Sequence, residues 1–130
     1  MLDRVRALSL PEGEYIVIGS GVMDALGLRE SQDVDLVVSS QLFIELRSRG
    51  WKKFIEHDQQ VLKYSDAEAW TTWSYNGKDL ELIELLDHTM QIEDINFISP
   101  QFLKNWKTEK SRPKDLADIE LLKEYLSHDK

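Results

Sequence analysis

This sequence predicts an α/β protein built on a mixed β-sheet, and three observations carry that expectation. Strand-length apolar runs such as Tyr15–Ile18 and Val34–Val38 alternate with runs of helical apolar spacing. Asn76-Gly77 marks a hairpin, because both central positions of a type I′ turn need positive φ. The C-terminal third then opens two helices, at Ser99-Pro100 and Arg112-Pro113. Residues 1–130 make one domain, long enough for a single core and too short for two.

Taken in order, Leu2, Val5 and Leu8 suggest a short helix ended by Pro11 and Gly13. Tyr15 to Ile18 is the first strand, and Val22 to Leu28 a short helix with Val22, Met23 and Leu26 inward. A second strand runs from Asp33 to Val38. Ser39 or Ser40 then caps a helix that continues to Arg49, with Leu42, Phe43 and Leu46 inward and Gly50 as its stop. Trp51 to His57 and Val61 to Tyr64 read as short strands ahead of the hairpin, which occupies Trp70 to Leu85. The turn sets the register: Ser74 opposite Asp79, Trp73 opposite Leu80, Thr72 opposite Glu81. Trp73, Leu80 and Leu82 then share an apolar face, so the helices are expected mainly on one face of the sheet, with Asp79 and Glu81 on the other. The last helix carries a stripe of Leu116, Ile119, Leu122 and Leu126.

The chemistry concentrates in the first two strands. Side chains alternate along a strand, so Asp33 and Asp35 fall on one face, and Val34, Leu36 and Val38 on the other. Two neighbouring carboxylates repel, and a hard divalent cation, Mg²⁺ or Mn²⁺, relieves that repulsion with oxygen ligands. Gly19-Ser20 between strand and helix brings backbone N–H groups close to a phosphate. A serine-nucleophile elbow does not fit, since the glycine such a turn uses two residues before the serine is here Ile18.

With Gly19-Ser20 and Asp33-x-Asp35 in this order, the chain resembles the nucleotidyltransferase superfamily of the DNA polymerase beta type. A second likeness lies in Trp106-Lys107 and Arg112-Pro113-Lys114-Asp115-Leu116-Ala117-Asp118, similar to a pattern of small abortive-infection and antibiotic-modifying nucleotidyltransferases. The resemblance implies the nucleotidyltransferase fold and Mg²⁺-dependent transfer of a nucleotidyl group from an NTP, ATP among them, with pyrophosphate leaving. It implies Asp33 and Asp35 as metal ligands and catalytic residues, with a third carboxylate on a later strand. Strand parity assigns that role to Glu81, with Asp79 and Glu84 as the alternatives. Gly19 and Ser20 would seat the terminal phosphates, and Lys107 and Lys114 would be phosphate or structural contacts. Asp115 and Asp118 fall in the first turns of the last helix, where carboxylates suit the helix dipole, and are read as structural. Gly21-Val22-Met23 stands where many small members carry a basic residue.

The net charge of −8 argues against non-specific binding to long nucleic acid, which depends on releasing counterions from phosphates. An NTP with its cation survives that test, as do an RNA end such as that of tRNA, a protein or a small molecule as acceptor. No apolar run approaches a membrane span, and charges at Asp3, Arg4 and Arg6 interrupt the N-terminus, so a cytoplasmic protein without a membrane partner is expected. Cysteine is absent, which removes disulfides and thiolate metal sites. The second function class is a catalytically silent domain of the same fold, acting as a binding or antitoxin-like subunit. In either class a homodimer or a partner protein would complete a site this small.

Overall fold

The computed structural model describes residues 1–128. In chain order its elements are α1 (Leu2–Arg6), β1 (Tyr15–Ile18), α2 (Ser20–Ala25), β2 (Val34–Val38), α3 (Ser40–Ser48), β3 (Lys52–Glu56), β4 (Gln59–Tyr64), β5 (Ala67–Trp70), β6 (Thr72–Tyr75), β7 (Lys78–Glu81), α4 (Leu82–Leu85), β8 (Thr89–Ile92), β9 (Ile95–Ile98), α5 (Pro100–Lys110) and α6 (Leu116–His128). Seven strands form one mixed sheet in the order β3-β4-β5-β2-β1-β9-β8. β1 is antiparallel to β2 and parallel to β9, and β2 is parallel to β5.

The central strands are apolar because both of their faces are covered. Ile16, Val17, Leu36 and Val37 are completely buried, together with Phe97 and Ile98 of β9. Ser39 caps α3, its Oγ accepting from the Leu42 N–H at 3.0 Å, and Ser99 caps α5 in the same way through Phe102, with Pro100 at the first helical position. In α6 Leu122 is fully buried and Ile119 nearly so, but Leu116 is exposed. Leu116, the first residue of α6 directly after the 3₁₀ turn at Pro113–Asp115, does not continue the stripe.

The hairpin forms with the expected pairs, Thr72 with Glu81, Trp73 with Leu80 and Ser74 with Asp79. Its place in the fold differs from the expectation. β6 and β7 make a separate two-stranded sheet, and the chain turns into α4 at Leu82 instead of continuing as a strand. Glu81 therefore does not share a sheet face with Asp35. It is the exposed N-cap of α4, in a reciprocal capping box with Glu84, whose Oε1 accepts from the Glu81 N–H at 3.2 Å. Parity within a hairpin orients its residues relative to one another and says nothing about a second sheet. Three further strands, β5, β8 and β9, were not foreseen in the sequence.

Candidate active site

The site is built at the end of β1 and the start of β2. Gly19 adopts φ 66° and ψ −148°, a conformation that residues with a Cβ rarely enter. Space reinforces the choice, since a Cβ at Gly19 would stand 3.2 Å from Asp35 Oδ2. At Gly21 a Cβ would come within 2.9 Å of Val17 Cγ1, so this glycine lets α2 lie close on β1. The Ser20 and Ser31 hydroxyls are 2.8 Å apart, and Ser31 Oγ donates to the Asp33 carbonyl at 2.7 Å. The Ser31 proton is thus in use and Ser20 is the donor between them, which ties the turn after β1 to the entrance of β2. Gly19→Ala is expected to lower unfolding free energy by about 1–3 kcal/mol, the range for strained backbone at such a position. Denaturant melts check this, and equal stability would show that the turn relaxes freely.

Asp33 is exposed at the mouth of the site and Asp35 is half-buried on β2. In register with Asp35, on the parallel neighbour β5, stands Glu68. The two carboxyls lie side by side on paired strands, and the neighbouring Glu68 disfavours the charged form of Asp35. Burial first, then Glu68 and the charge of Asp33, push Asp35 up to about 7, against a smaller downward pull from Lys107. Asp35 Oδ1 is buried without a hydrogen-bond partner among the described residues. Glu68 is also held by Lys63, whose Nζ lies 3.1 Å from Oε1 and also pairs with Glu56.

A cavity of about 520 Å³ opens on this strand end, lined by Gly19, Ser20, Asp33 and Asp35 and by the cations Arg29, Lys107, Arg112 and Lys114. Three of those cations are fixed by two buried carboxylates. Lys107 is buried, with Nζ 3.4 Å from Asp115 Oδ1 and 3.0 Å from Asp118 Oδ2. Arg29 grips Asp118 with two bonds of 2.6 and 2.7 Å, and Arg112 grips Asp115 at 2.7 and 3.1 Å. Burial raises both aspartates, but Arg112 and Lys107 outweigh it at Asp115, and Arg29 and Lys107 at Asp118, so both sit below the ordinary carboxylate value. Lys114 is exposed on the cavity rim and makes no salt bridge among the described residues.

Of the expected site residues, Gly19, Ser20, Asp33, Asp35, Lys107 and Lys114 thus come together in one cavity. Glu81 does not; it lines a separate cavity with Glu14, Ser39, Ile83 and Leu86. Asp79 is exposed on the separate hairpin opposite Ser74, and Glu84 is exposed in the α4 capping box. Glu68 was missed because Ala-Glu-Ala-Trp gives little strand signal, alanine being a weak strand former. Its one clue is the alternation: Ala67 and Ala69 are buried, while Glu68 and Trp70 share the other face.

Among the described residues no three His, Cys, Asp or Glu side chains converge closely enough to hold a metal ion as they stand. The residues nonetheless suit a divalent cation. An unpartnered buried carboxylate oxygen, a second carboxyl in register beside it and a glycine that leaves Asp35 Oδ2 uncrowded are an oxygen donor set for a hard ion.

No family model matches the sequence, and no curated protein matches it. Solved structures do match the fold. The aminoglycoside nucleotidyltransferase ANT(2″)-Ia, in complex with adenylyl-2″-tobramycin, aligns with 96% of this chain and 84% of its own at 17% identity and a TM-score of 0.58. A candidate nucleotidyltransferase from Thermotoga maritima aligns with 98% of this chain and 92% of its own at 14% identity and a TM-score of 0.58. The chain has the nucleotidyltransferase fold.

Proposed function

We propose that this protein transfers a nucleotidyl group from an NTP to an acceptor hydroxyl, with Mg²⁺ or Mn²⁺ held by Asp35, Glu68 and Asp33. The observation that carries the reading is the half-buried, register-paired carboxyls of Asp35 and Glu68, with Asp35 Oδ1 unpartnered among the described residues, beside a cavity lined by Arg29, Lys107, Arg112 and Lys114 at whose turn a Cβ on Gly19 would crowd Asp35. When bound, the divalent ion supplies charge stabilisation for the triphosphate and for the attacking and leaving oxygens. Asp35 and Asp33 bind and orient the triphosphate side, and Gly19 and Ser20 seat its terminal phosphates. Glu68 takes the acceptor proton, and Lys63 keeps that carboxylate oriented while it waits. Lys114, free of any salt bridge among the described residues, reaches phosphate from the rim. Lys107 holds Asp115 and Asp118 in place and adds positive charge near Asp35. A cytoplasmic setting with its NTP and Mg²⁺ supply fits this chemistry, and among the described residues no helix is long and apolar enough to cross a membrane.

The test uses α-labelled NTPs, Mg²⁺ and an extract of RNA, protein and metabolites. Glu68→Gln is expected to lose transfer by a factor of about 100 or more, the range for a positioned proton acceptor, while Glu81→Gln keeps it within about twofold. The reverse ranking would return the role to the hairpin. A wild type that labels nothing with any NTP, yet binds a partner protein with Glu68→Gln unimpaired, would make the chain a silent binding subunit.

A further inference from the structure

A second cavity, of about 280 Å³, shares Asp35, Trp106 and Arg112 with the first, and its other walls include Glu68, Trp70 and Gln59. The two lie side by side as lobes with Asp35, Trp106 and Arg112 in common. The lobe with Gly19, Ser20 and the lysines suits a triphosphate. The lobe with Glu68 is where an acceptor hydroxyl would meet its base.

That acceptor lobe has a distinctive composition. Trp70 follows Glu68 by two residues on the same strand face, so an indole stands one strand repeat, about 7 Å, from the proposed base. Trp73 packs at a tilt against both Trp106 and Phe102, whereas the half-buried Trp70 pairs with no aromatic ring among the described residues. Gln59 Oε1 accepts from Thr72 Oγ1 at 3.0 Å, which leaves the Gln59 amide nitrogen as a donor toward a ligand. Charge points the same way. Among the described residues the carboxylates that line the lobe are Asp35 and Glu68, both assigned to the cation site, and His57 and Arg112 line it with them. A polycationic sugar would find no spare carboxylate there. A planar, hydrogen-bonding group without positive charge fits the indole and the amide, and the volume suits one nucleoside.

We propose that the acceptor is a nucleoside hydroxyl, with its base stacked on Trp70 and read by Gln59. This rests on the transfer reading above and names its substrate class. In the step, the acceptor oxygen forms a bond to the α-phosphorus and gives its proton to Glu68. The bond from the α-phosphorus to the bridging oxygen breaks, and pyrophosphate departs with that electron pair.

The experiment has two arms on the full-length chain. In the first, calorimetry measures uridine binding with the nucleotide lobe filled by Mg²⁺ and a non-hydrolysable ATP analogue. Trp70→Ala should weaken it by about tenfold or more, the usual loss for a base-stacking aromatic, while Trp70→Phe keeps most of it and both variants melt near wild type. In the second arm, α-labelled ATP is offered with uridine, a dinucleotide, a tyrosine-containing peptide or an aminoglycoside. Label should pass to the first two, and Trp70→Ala should raise the acceptor KM with the ATP KM unchanged. Uridine that does not bind wild type, label that goes to the peptide or aminoglycoside instead, or a Trp70→Ala defect confined to the ATP KM would each overturn the proposal. Uridine binding lost in Trp70→Ala with no transfer to any acceptor would keep the pocket and overturn the transfer reading instead.

Discussion

Asp35→Asn is expected to abolish nucleotidyl transfer and, in EDTA at pH 8, to make the protein more stable than wild type. The two effects have one cause. A buried carboxylate without enough partners is costly until a cation arrives, and asparagine removes both the cost and the cation ligand. Several kcal/mol of charge stabilisation are lost with the ion, so transfer should fall by about a thousandfold or more. The stability change follows from proton linkage. Asp35 holds its proton up to about 7 in the folded protein because of burial first and then Glu68 and Asp33, whereas its ordinary value is 3.8. The folded state thus binds more protons than the unfolded one between those two values, and wild-type stability falls as pH rises through that window. The cost is absent below about pH 4 and fully present above about pH 7. Asp35→Asn removes it, so the gain at pH 8 should be on the order of 2–4 kcal/mol and vanish near pH 4. Denaturant melts of both proteins at the two pH values measure this. A variant less stable than wild type at pH 8 would show that the Asp35 charge is already satisfied without a cation.

The same side chain shows how much of the site was legible in the sequence. Gly19-Ser20 and Asp33-x-Asp35 could be read because a glycine turn after an apolar strand and a period-two acidic pair are local features, settled within a few residues. The hairpin register was legible for the same reason, fixed by Asn76-Gly77. Glu68 was not, since its place beside Asp35 depends on which strand lies next to β2. That neighbour is β5, joined in parallel, and a four-residue strand with two alanines announces neither its existence nor its partner. Glu81 had the stronger local pattern, but the chain leaves the main sheet after Trp70, and its parity applies only to the hairpin. β8 and β9 were missed for a similar reason: four-residue strands joined by Glu93 and Asp94 at positive φ lack the glycine that usually marks such a turn. Lys107 was visible as a residue of interest, and only the fold shows that its charge is turned toward Asp115 and Asp118.

Lys107→Met should therefore damage folding before it damages NTP binding. The ammonium is buried among two carboxylates that are themselves 1% and 4% exposed, so methionine keeps the bulk of the stem and removes the shared cation. Stripping a buried charge of its sole partner costs about 3–5 kcal/mol. Here Arg29 and Arg112 keep Asp118 and Asp115 paired, so the loss should be smaller, about 2–3 kcal/mol, or roughly 10 °C in melting temperature. The pH dependence identifies the cause. Burial raises Asp115 and Asp118, but their cations hold both below the ordinary value, so their contribution is present above about pH 4 and lost as pH falls through the depressed values. Removing Lys107 reduces that depression and also removes the downward pull on Asp35, so the gap between variant and wild type should be full near neutral pH and close in acid. A triphosphate contact would behave differently: the NTP KM would rise while the melting temperature held at every pH. Thermal melts at pH 7 and pH 3, set beside the NTP KM, separate the two, and an unchanged melting temperature at pH 7 would move Lys107 from the framework to the phosphate.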